Sequence, residues 1–333
     1  MKFNTTPMTF PKFPRRLAAT ATVLAATAGL TACGAAGAGD DEEFPSSQVE
    51  IIVPWAAGGA TDLTTRQLAT LAEDTCGVRM MITNKTGAAG AVGHQAMADA
   101  EPDGYTVGAA TVEVSILNHL GNTEITPEDL QGVIRFQSTP SVLAVSPDSP
   151  YQTFDDLVKG MKNGDEVRVA TNGRGGIWDI AARGLAQEIG VEFKQYAPFN
   201  GSAEMIPAVL GGQVEALTPS GAEMQSQLNT GELRGLVSMS PERFEVFPDI
   251  PTTHEEGADW DAANWFGIVV PEGTPEDRVQ KLNDCFAEAA RSDTFQSFMK
   301  KQGYGSEIVE SEEFEQFMDD EFTRFGELVD RIY

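Results

Sequence analysis

Residues Glu50–Leu71, EIIVPWAAGGATDLTTRQLATL, contain a predicted strand, a glycine loop and a helix in immediate succession. The apolar run Glu50–Val53 is rich in β-branched residues, which predicts a buried strand that Pro54 ends. Ala57–Ala60 includes two glycines, which let the backbone approach a ligand closely. Asp62 is predicted as the N-cap of the following helix. The unpaired N–H groups and the positive end of the helix dipole then face the loop, so the stretch predicts an anion site.

The same order of strand, glycine loop and helix recurs along the chain. Three further loops follow predicted strands: Asn84–Gly93 after Arg79–Thr83, Asn172–Gly176 after Val167–Thr171, and Pro198–Ser202 after Phe193–Tyr196. Strands that alternate with helices at this spacing predict parallel sheets with right-handed crossovers. In open sheets of this kind, ligands sit beyond the carboxyl ends of the strands, where these loops fall.

The chain of 333 residues is long enough for about two domains of roughly 150 residues each. The apolar run Trp265–Pro271 predicts a late strand. Helices are then predicted over Val279–Ala290, Asp293–Lys300 and Ser311–Ile332. Such a tail packs back on the first domain, so we expect two crossings, near Gln137–Val142 and near Ala262–Phe266, which would make a hinge. The predicted organisation is residues 48–141 for the first lobe, 142–264 for the second and 265–333 for the return to the first.

The N-terminus has the pattern of a bacterial signal peptide. Basic residues end at Arg16, the small-residue apolar stretch Leu17–Leu30 follows, and the sequence LTAC ending at Cys33 resembles a lipobox. The apolar stretch is too short and too alanine-rich to span a membrane. We predict that residues 1–33 are a lipoprotein signal peptide, with Cys33 lipidated at the outer face of the cell membrane. The alternative is an ordinary signal peptide with an incidental cysteine. Residues 34–47 are small and acidic, which predicts a flexible tether.

The net charge of −27 excludes two classes of partner. Such a surface repels nucleic acid and anionic lipid headgroups, so we predict no nucleic-acid binding and membrane contact through the lipid anchor only. An anionic ligand would have to bind through local dipoles, against the overall field.

Two further cysteines, Cys76 and Cys285, lie at the end of the first predicted helix and in a late helix. In an oxidising compartment they are expected to pair and to tie the end of the chain to its beginning. Two separate buried thiols are the alternative.

Enzyme motifs are missing from the sequence. The three histidines, His94, His119 and His254, are far apart and have no metal-ligand spacing. There is no G-x-S-x-G elbow, and the glycine loops lack the Gly-Lys-Ser/Thr ending of a P-loop. We therefore predict no catalytic residue, no metal site and no cofactor.

Five blocks of sequence, in order, give the chain a family resemblance: VPWAAGGATD, NKTGAAG, EPDGYT, PFNGSAE and GGQVEAL. The chain resembles the extracytoplasmic substrate-binding receptors of tripartite tricarboxylate transporters, the TctC/Bug family. The resemblance runs from about Val49 to the C-terminal helix and includes the WFG…P…GTP pattern at Trp265–Pro275. It implies an α/β, two-lobed periplasmic-binding-protein fold of type II. Each lobe would be a mainly parallel sheet flanked by helices, with a small carboxylate in the cleft between the lobes.

The resemblance also implies a binding site, carried over by position. From the first lobe it includes Trp55, Ala57, Gly58, Asp62, Gly87, Ala88, Gly90 and Thr111. From the second lobe it includes Thr171, Gly175, Gly176, Asn200, Gly201, Ser202 and Ser220. Three departures concern the identity of the ligand. The first loop is WAAGG where F-P-P-G-G is common, and Asn200 stands where lysine is common. Residues 177–179 are Ile-Trp-Asp where Ser/Thr and His are common.

Four residues near these loops have two interpretations each. Arg174 could clamp a carboxylate with its planar fork of donors, or it could be a solvated loop arginine. Trp55 is expected in the cleft wall, although it could pack under the sheet. Trp178 is expected in the core. Glu113, close to Thr111, suggests either a cationic group on the ligand or a side chain turned to solvent.

The resemblance implies a function as well. It implies a monomeric, lipid-anchored receptor that captures a di- or tricarboxylate or a related organic acid and delivers it to integral membrane transporter subunits. A sensor that presents the same ligand to a signalling membrane protein is an alternative. An extracellular enzyme that uses the same cleft is a third hypothesis, and the missing catalytic motifs argue against it.

Overall fold

The computed structural model describes residues 44–333, so the predicted signal peptide, Cys33 and the first part of the predicted tether lie outside the described residues. Within residues 44–333, we find no helix with the length and apolar character that a membrane span requires.

The first lobe is built on a mixed sheet, which has six strands within the described residues. These are β1 (Val49–Val53), β2 (Met80–Asn84), β3 (Thr106–Thr111), β4 (Leu130–Pro140), β10 (Ala263–Pro271) and β11 (Val309–Glu310). The spatial order is β11-β4-β10-β3-β1-β2. Its helices are α1 (Ala60–Cys76), α2 (Ala91–Ala98), α7 (Glu276–Arg291), α8 (Asp293–Gln302) and α9 (Ser311–Ile332).

The second lobe is built on a smaller sheet, with five strands in the described part of the chain. These are β5 (Val142–Val145), β6 (Arg168–Thr171), β7 (Gln195–Pro198), β8 (Ala216–Leu217) and β9 (Arg234–Ser238), in the spatial order β7-β6-β8-β5-β9. Its helices are α3 (Phe154–Lys162), α4 (Ile177–Glu188), α5 (Ser202–Leu210) and α6 (Gln225–Thr230).

Both sheets are parallel at one side and antiparallel at the other, which differs from the expected mainly parallel sheets. The strands that precede the glycine loops pair in parallel: β1 with β2 and β3, and β6 with β7 and β8. The strands at the crossings between lobes, β4, β5 and β10, are antiparallel to their neighbours.

Sequence analysis missed β4 because its polar side chains hide the strand pattern. Arg135, Gln137, Ser138 and Thr139 interrupt the apolar residues of the strand, yet Arg135, Gln137 and Thr139 are buried. A strand with one solvent-exposed face would show polar residues only on that face. Here both faces are covered, so polarity along the strand does not report exposure.

The crossings meet at one hydrogen-bonded point. The chain passes from β4 to β5 at Ser141, whose N–H donates to Ala262 O at 2.8 Å and whose carbonyl accepts from Met239 N at 2.9 Å. Ala262 N in turn donates to Met239 O at 3.0 Å. The outgoing and returning segments are therefore paired with each other between the lobes.

Phe44 corrects the predicted extent of the tether. Its ring packs edge-on against Tyr105, with the ring centroids 5.2 Å apart, and the Arg278 guanidinium lies 5.0 Å from its centroid. The N–H of Ser46 donates to the Tyr105 hydroxyl at 3.2 Å. Residues 44–47 were predicted as part of a flexible tether, but an aromatic side chain and these contacts fix them to the first lobe.

Cys76 and Cys285 form a disulfide bond that joins the last residue of α1 to the middle of α7. The two residues are 209 positions apart in the sequence, and both are buried against the core of the first lobe. The bond ties the opening segment of this lobe to the segment that returns after the second lobe.

Replacing both cysteines, Cys76→Ala with Cys285→Ala, is expected to lower the free energy of unfolding by about 2–5 kcal/mol. The physical reason is that the cross-link closes a long loop in the unfolded chain. Urea unfolding of the oxidised parent, the reduced parent and the double variant measures the effect. Reduction should bring the parent close to the double variant, and an oxidised parent no more stable than the double variant would contradict the prediction.

Candidate ligand-binding cleft

A cavity of about 530 Å³ opens between the two lobes, where the glycine loops lie. Its volume is in the range of small-molecule sites. The first lobe contributes Trp55, Gly59, Ala60, Thr61, Ala89, Glu113, Asn264 and Phe266 to the wall, among others. The second lobe contributes Asn172, Arg174, Gly176, Trp178, Phe199, Gly201, Ser202 and Glu223, among others.

A larger cavity, of about 840 Å³, lies beside the crossings and contains Arg135, Glu321 and Arg324. Its charged side chains largely neutralise one another. Arg324 contacts both Asp261 and Glu321, and Arg135 is paired with Glu307. The smaller cavity is the better candidate site because its wall contains the N-terminal ends of helices, whose first N–H groups have no intrahelical acceptor.

Three helices direct their N-termini at the smaller cavity. Its wall includes Gly59–Thr61 at the start of α1, residues 176–178 at the start of α4, and residues 201–203 at the start of α5. The first N–H groups of a helix have no intrahelical acceptor, and the helix dipole places positive potential there. Their convergence makes the cavity suited to an anionic group.

Glycine at the N-cap of α4 permits a close approach of the Asn172 side chain. A Cβ on Gly176 would lie 2.3 Å from Oδ1 of Asn172. The same Asn172 oxygen accepts the N–H of Asp179 in the first turn of the helix. The loop therefore folds tightly over the helix end and leaves its backbone facing the cavity.

The prediction that Asp62 is the N-cap of α1 is wrong. Gly59 holds that position, and Asp62 lies in the first turn. Its buried carboxylate accepts from Gly58 N at 2.8 Å, from Arg66 Nε at 2.9 Å and from Asn84 Nδ2 at 2.9 Å. Burial opposes ionisation, but these hydrogen bonds outweigh it and hold the pKa of Asp62 below its ordinary value.

Asp179 occupies the corresponding place in α4. Its carboxylate accepts from Arg183 Nε at 2.8 Å and from the hydroxyl of Thr171 at 3.1 Å. Gly-Gly-x-x-Asp-x-x-x-Arg is thus repeated, as GGATDLTTR from residue 58 and GGIWDIAAR from residue 175. In both lobes the arginine one turn on neutralises the carboxylate, so the helix end keeps its attraction for anions. Sequence analysis missed this repeat, although it was visible in the sequence.

Tyr333 joins the two lobes at the glycine loop Asn172–Gly176. The Tyr333 hydroxyl donates to Asp179 and accepts the N–H of Gly175 at 2.8 Å. The Arg174 guanidinium lies 4.5 Å from the centre of the Tyr333 ring. Burial, followed by the Asp179 charge, raises the pKa of Tyr333 above its ordinary value.

A chain of hydrogen bonds supports the cavity wall from behind. Trp55 Nε1–H donates to the hydroxyl of Thr111 at 3.4 Å, and that hydroxyl donates to Glu113 Oε2 at 2.6 Å. Thr111 N–H donates to His94 Nε2 at 3.2 Å, which leaves the other ring nitrogen to donate to Gly90 O at 3.0 Å. His94 is therefore held as the neutral tautomer, with its proton on Nδ1.

The structure places six of the residues implied by the resemblance or by the loop pattern in the cavity wall. These are Trp55, Arg174, Gly176, Asn200, Gly201 and Ser202. Four others are exposed on the glycine loops: Ala57, Gly58, Gly87 and Ala88. The remaining six are buried behind the wall: Asp62, Gly90, Thr111, Thr171, Gly175 and Ser220.

Three residues with two interpretations are now placed. Glu113 is 5% exposed and lies in the cavity wall, so it is not turned to solvent. Trp178 is mostly buried, as expected, but one edge reaches the cavity, and its Nε1–H donates to Ser220 Oγ at 3.4 Å. Arg174 is exposed at the cavity rim and stacks on Tyr333.

Sequence analysis missed several wall residues, of which Asn264, Phe266 and Glu223 are the most informative. The first two are on β10, the strand that returns from the second lobe. Their approach to the cavity depends on the pairing of β10 with β3, which no local pattern shows. Phe199 and Asn172 belong to two of the predicted glycine loops, although they were not named as site residues.

Comparison with known proteins gives one consistent family. The family model "Tripartite tricarboxylate transporter family receptor" matches residues 64–333. The UPF0065 protein in the gbd 5' region of Cupriavidus necator is 29% identical over 322 residues, which cover 96% of this chain and 97% of that protein. The structure of a TctC solute binding protein from Polaromonas is 31% identical, with a TM-score of 0.78, and covers 86% of this chain and 99% of its own.

Two structures from Rhodopseudomonas palustris, one with adipate and one with malate, have the same fold. Both are 24% identical to this chain, with TM-scores of 0.76 and 0.72, and each covers 86% of it. The match covers 98% of the chain solved with adipate and 100% of the chain solved with malate.

Lowering the pH is expected to destabilise the protein through His94. Burial lowers its pKa to about 4, from an ordinary value near 6.5. Above pH 6.5 the ring is neutral in the folded and unfolded states, and its contribution is fully present. Between pH 6.5 and 4 only the unfolded chain takes up the proton, so the free energy of unfolding should fall by up to about 3 kcal/mol.

The variant His94→Gln isolates this contribution because glutamine keeps a donor and an acceptor but does not titrate. Urea unfolding at steps between pH 7 and 4 should show a shallower decline for the variant. Burial raises the pKa of Glu113, which acts in the opposite direction and is common to both proteins. Equal slopes for parent and variant would contradict the assignment.

Proposed function

Because the chain belongs to the tripartite tricarboxylate transporter receptor family, we propose that its cleft captures a small organic acid and that the protein delivers this acid to a membrane transporter. The protein is a periplasmic solute-binding receptor and not an enzyme, like its structural neighbours. The identity of the captured acid, the delivery step and the membrane anchor are the content of the proposal.

The observation that carries the proposal is the convergence of three helix N-termini on one cavity between the lobes. One helix end contributes roughly 0.3–1 kcal/mol at an exposed site and up to about 2 kcal/mol when partly buried. Micromolar affinity needs about −8 kcal/mol, so several ends have to act on the same ligand, together with apolar contacts. Adipate and malate in structures of the same fold agree with a small carboxylate.

The proposed mechanism is a shift of population between open and closed lobes. A ligand that touches α1 in the first lobe and α4 and α5 in the second makes all its contacts only when the lobes are closed. The hinge is the hydrogen-bonded crossing at Ser141, where rotation need not disturb either sheet. Tyr333 adds a contact between the lobes beside the cavity.

A panel of carboxylates tests the proposal by thermal shift of the full chain. Succinate, malate, citrate, adipate, aspartate, glutamate and nicotinate sample di-, tri- and aminocarboxylates. A ligand that binds only the folded state must raise the melting temperature. We expect a large shift with one chemical class, and no shift with any class would contradict the proposal.

The substitution Gly201→Val places a side chain at the start of α5. A Cβ at Gly201 has no atom within 4 Å, so the fold should tolerate the change while the branched side chain occupies the cavity wall. We expect at least a tenfold loss of affinity for the carboxylate found in the panel. Gln213→Val, beyond the far end of the same helix, is the matched control and should bind as the parent does.

Lipid anchoring is tested separately at Cys33. The proposal rests on the leader sequence, in which Cys33 follows Leu30, Thr31 and Ala32 at the expected cleavage site. Mass spectrometry of the protein purified from bacterial membranes should find a fatty-acylated Cys33 as the first residue. Cys33→Ala should release the protein from the membrane, and a membrane-bound variant would contradict the anchor.

A further inference from the structure

We infer that the ligand carries an ammonium group beside its carboxylate, as an amino acid does, and that Glu113 binds this ammonium group. The inference rests on the proposed function and specifies the class of solute for the same cleft. It places the carboxylate of the ligand at the helix N-termini and its nitrogen at the side chain of Glu113.

The position of Glu113 is the first observation. Glu113 lies in the cavity wall, and 5% of the residue is exposed. The Thr111 hydroxyl accepts the N–H of Trp55 and donates to Glu113 Oε2, so the carboxyl group is held in place as an acceptor. Among residues 44–333, no ion pair includes Glu113. A buried carboxylate without a cation is costly unless a ligand supplies the cation.

The other charged residues of the wall also favour a ligand with an ammonium group. Glu223 also lines the cavity, and its Oε2 accepts the hydroxyl of Ser202 at 2.7 Å. The ion pairs of the described chain do not include Glu223 either. Among the described residues of the wall, Arg174 is the only lysine or arginine, and it is exposed at the rim of the cavity. The described wall therefore contains two carboxyl groups and one guanidinium group. A doubly charged diacid would add to this excess of negative charge.

A zwitterion satisfies both parts of the cleft. Its carboxylate takes the free N–H groups of the helix ends, and its ammonium group makes a charge-assisted hydrogen bond with Glu113. Because a zwitterion has no net charge, the overall charge of −27 does not repel it as it repels a dianion. Burial raises the pKa of Glu113. The competing arrangement is therefore a neutral Glu113 that donates a hydrogen bond to a second carboxylate of the ligand. The experiment has to separate these two arrangements.

Matched pairs of solutes make the separation. Isothermal titration calorimetry of the full chain would use the twenty proteinogenic amino acids, each paired with the carboxylic acid that lacks its α-amino group, such as glutamate with glutarate. For the best-bound pair, we expect the amino acid to bind at least tenfold more tightly than its partner. A carboxylic acid that binds as well as or better than its amino acid would overturn the inference and leave the proposed function standing. Failure of both sets to bind would overturn both.

The variant Glu113→Gln assigns the preference to one side chain. It should reduce affinity for the amino acid by tenfold or more and change affinity for the deaminated partner by less than threefold. Glu232→Gln removes the same charge from an exposed position of the second lobe outside the cavity wall and should leave the preference for the amino acid intact. Circular dichroism and the melting temperature establish that each variant is folded, and Glu113→Asp, which keeps the charge, should retain part of the preference. Equal losses for both solutes in Glu113→Gln would overturn the role of Glu113.

Discussion

The first N–H groups of a helix need acceptors, and this need organises the molecule around its cleft. Three helices begin at the same cavity, each after a glycine that leaves its backbone uncovered. Asp62 and Asp179 lie in the first turns of two of them, where a free carboxylate would cancel the attraction for an anion. Arg66 and Arg183 neutralise these carboxylates from within the same helices, so the helix ends remain available to a ligand.

Much of the fold could be predicted from the sequence because strand, glycine loop and helix are adjacent in the chain. The buried strand Val49–Val53 and the helix from Ala60 depend on local composition and turn chemistry. The strand Leu130–Pro140 does not, because its polar residues Arg135, Gln137 and Thr139 are buried. Only part of the cleft wall could be predicted for a related reason. Residues such as Asn264 and Glu223 reach the cavity through strand pairing and lobe contact, which are long-range.

The two lobes are connected at more than one place, and this limits how they can move. The outgoing and returning segments share hydrogen bonds at Ser141, Met239 and Ala262. Tyr333 extends from the first lobe to the glycine loop of the second. A pair of linked segments favours rotation about one axis over sliding, since sliding would break the shared hydrogen bonds. The contact of Tyr333 with the glycine loop Asn172–Gly176 is a further connection between the lobes.

The position of β10 sets the order in which the two lobes can be completed. This strand lies between β3 and β4 in the first sheet, but it comes from residues 263–271. The strands of the second sheet all lie between residues 142 and 238. When the chain emerges with its N-terminus first, the second lobe has its whole sheet while the first still lacks a central strand. The first lobe is therefore the last to complete its sheet. Cys285, which forms the disulfide bond with Cys76, follows β10 in the chain.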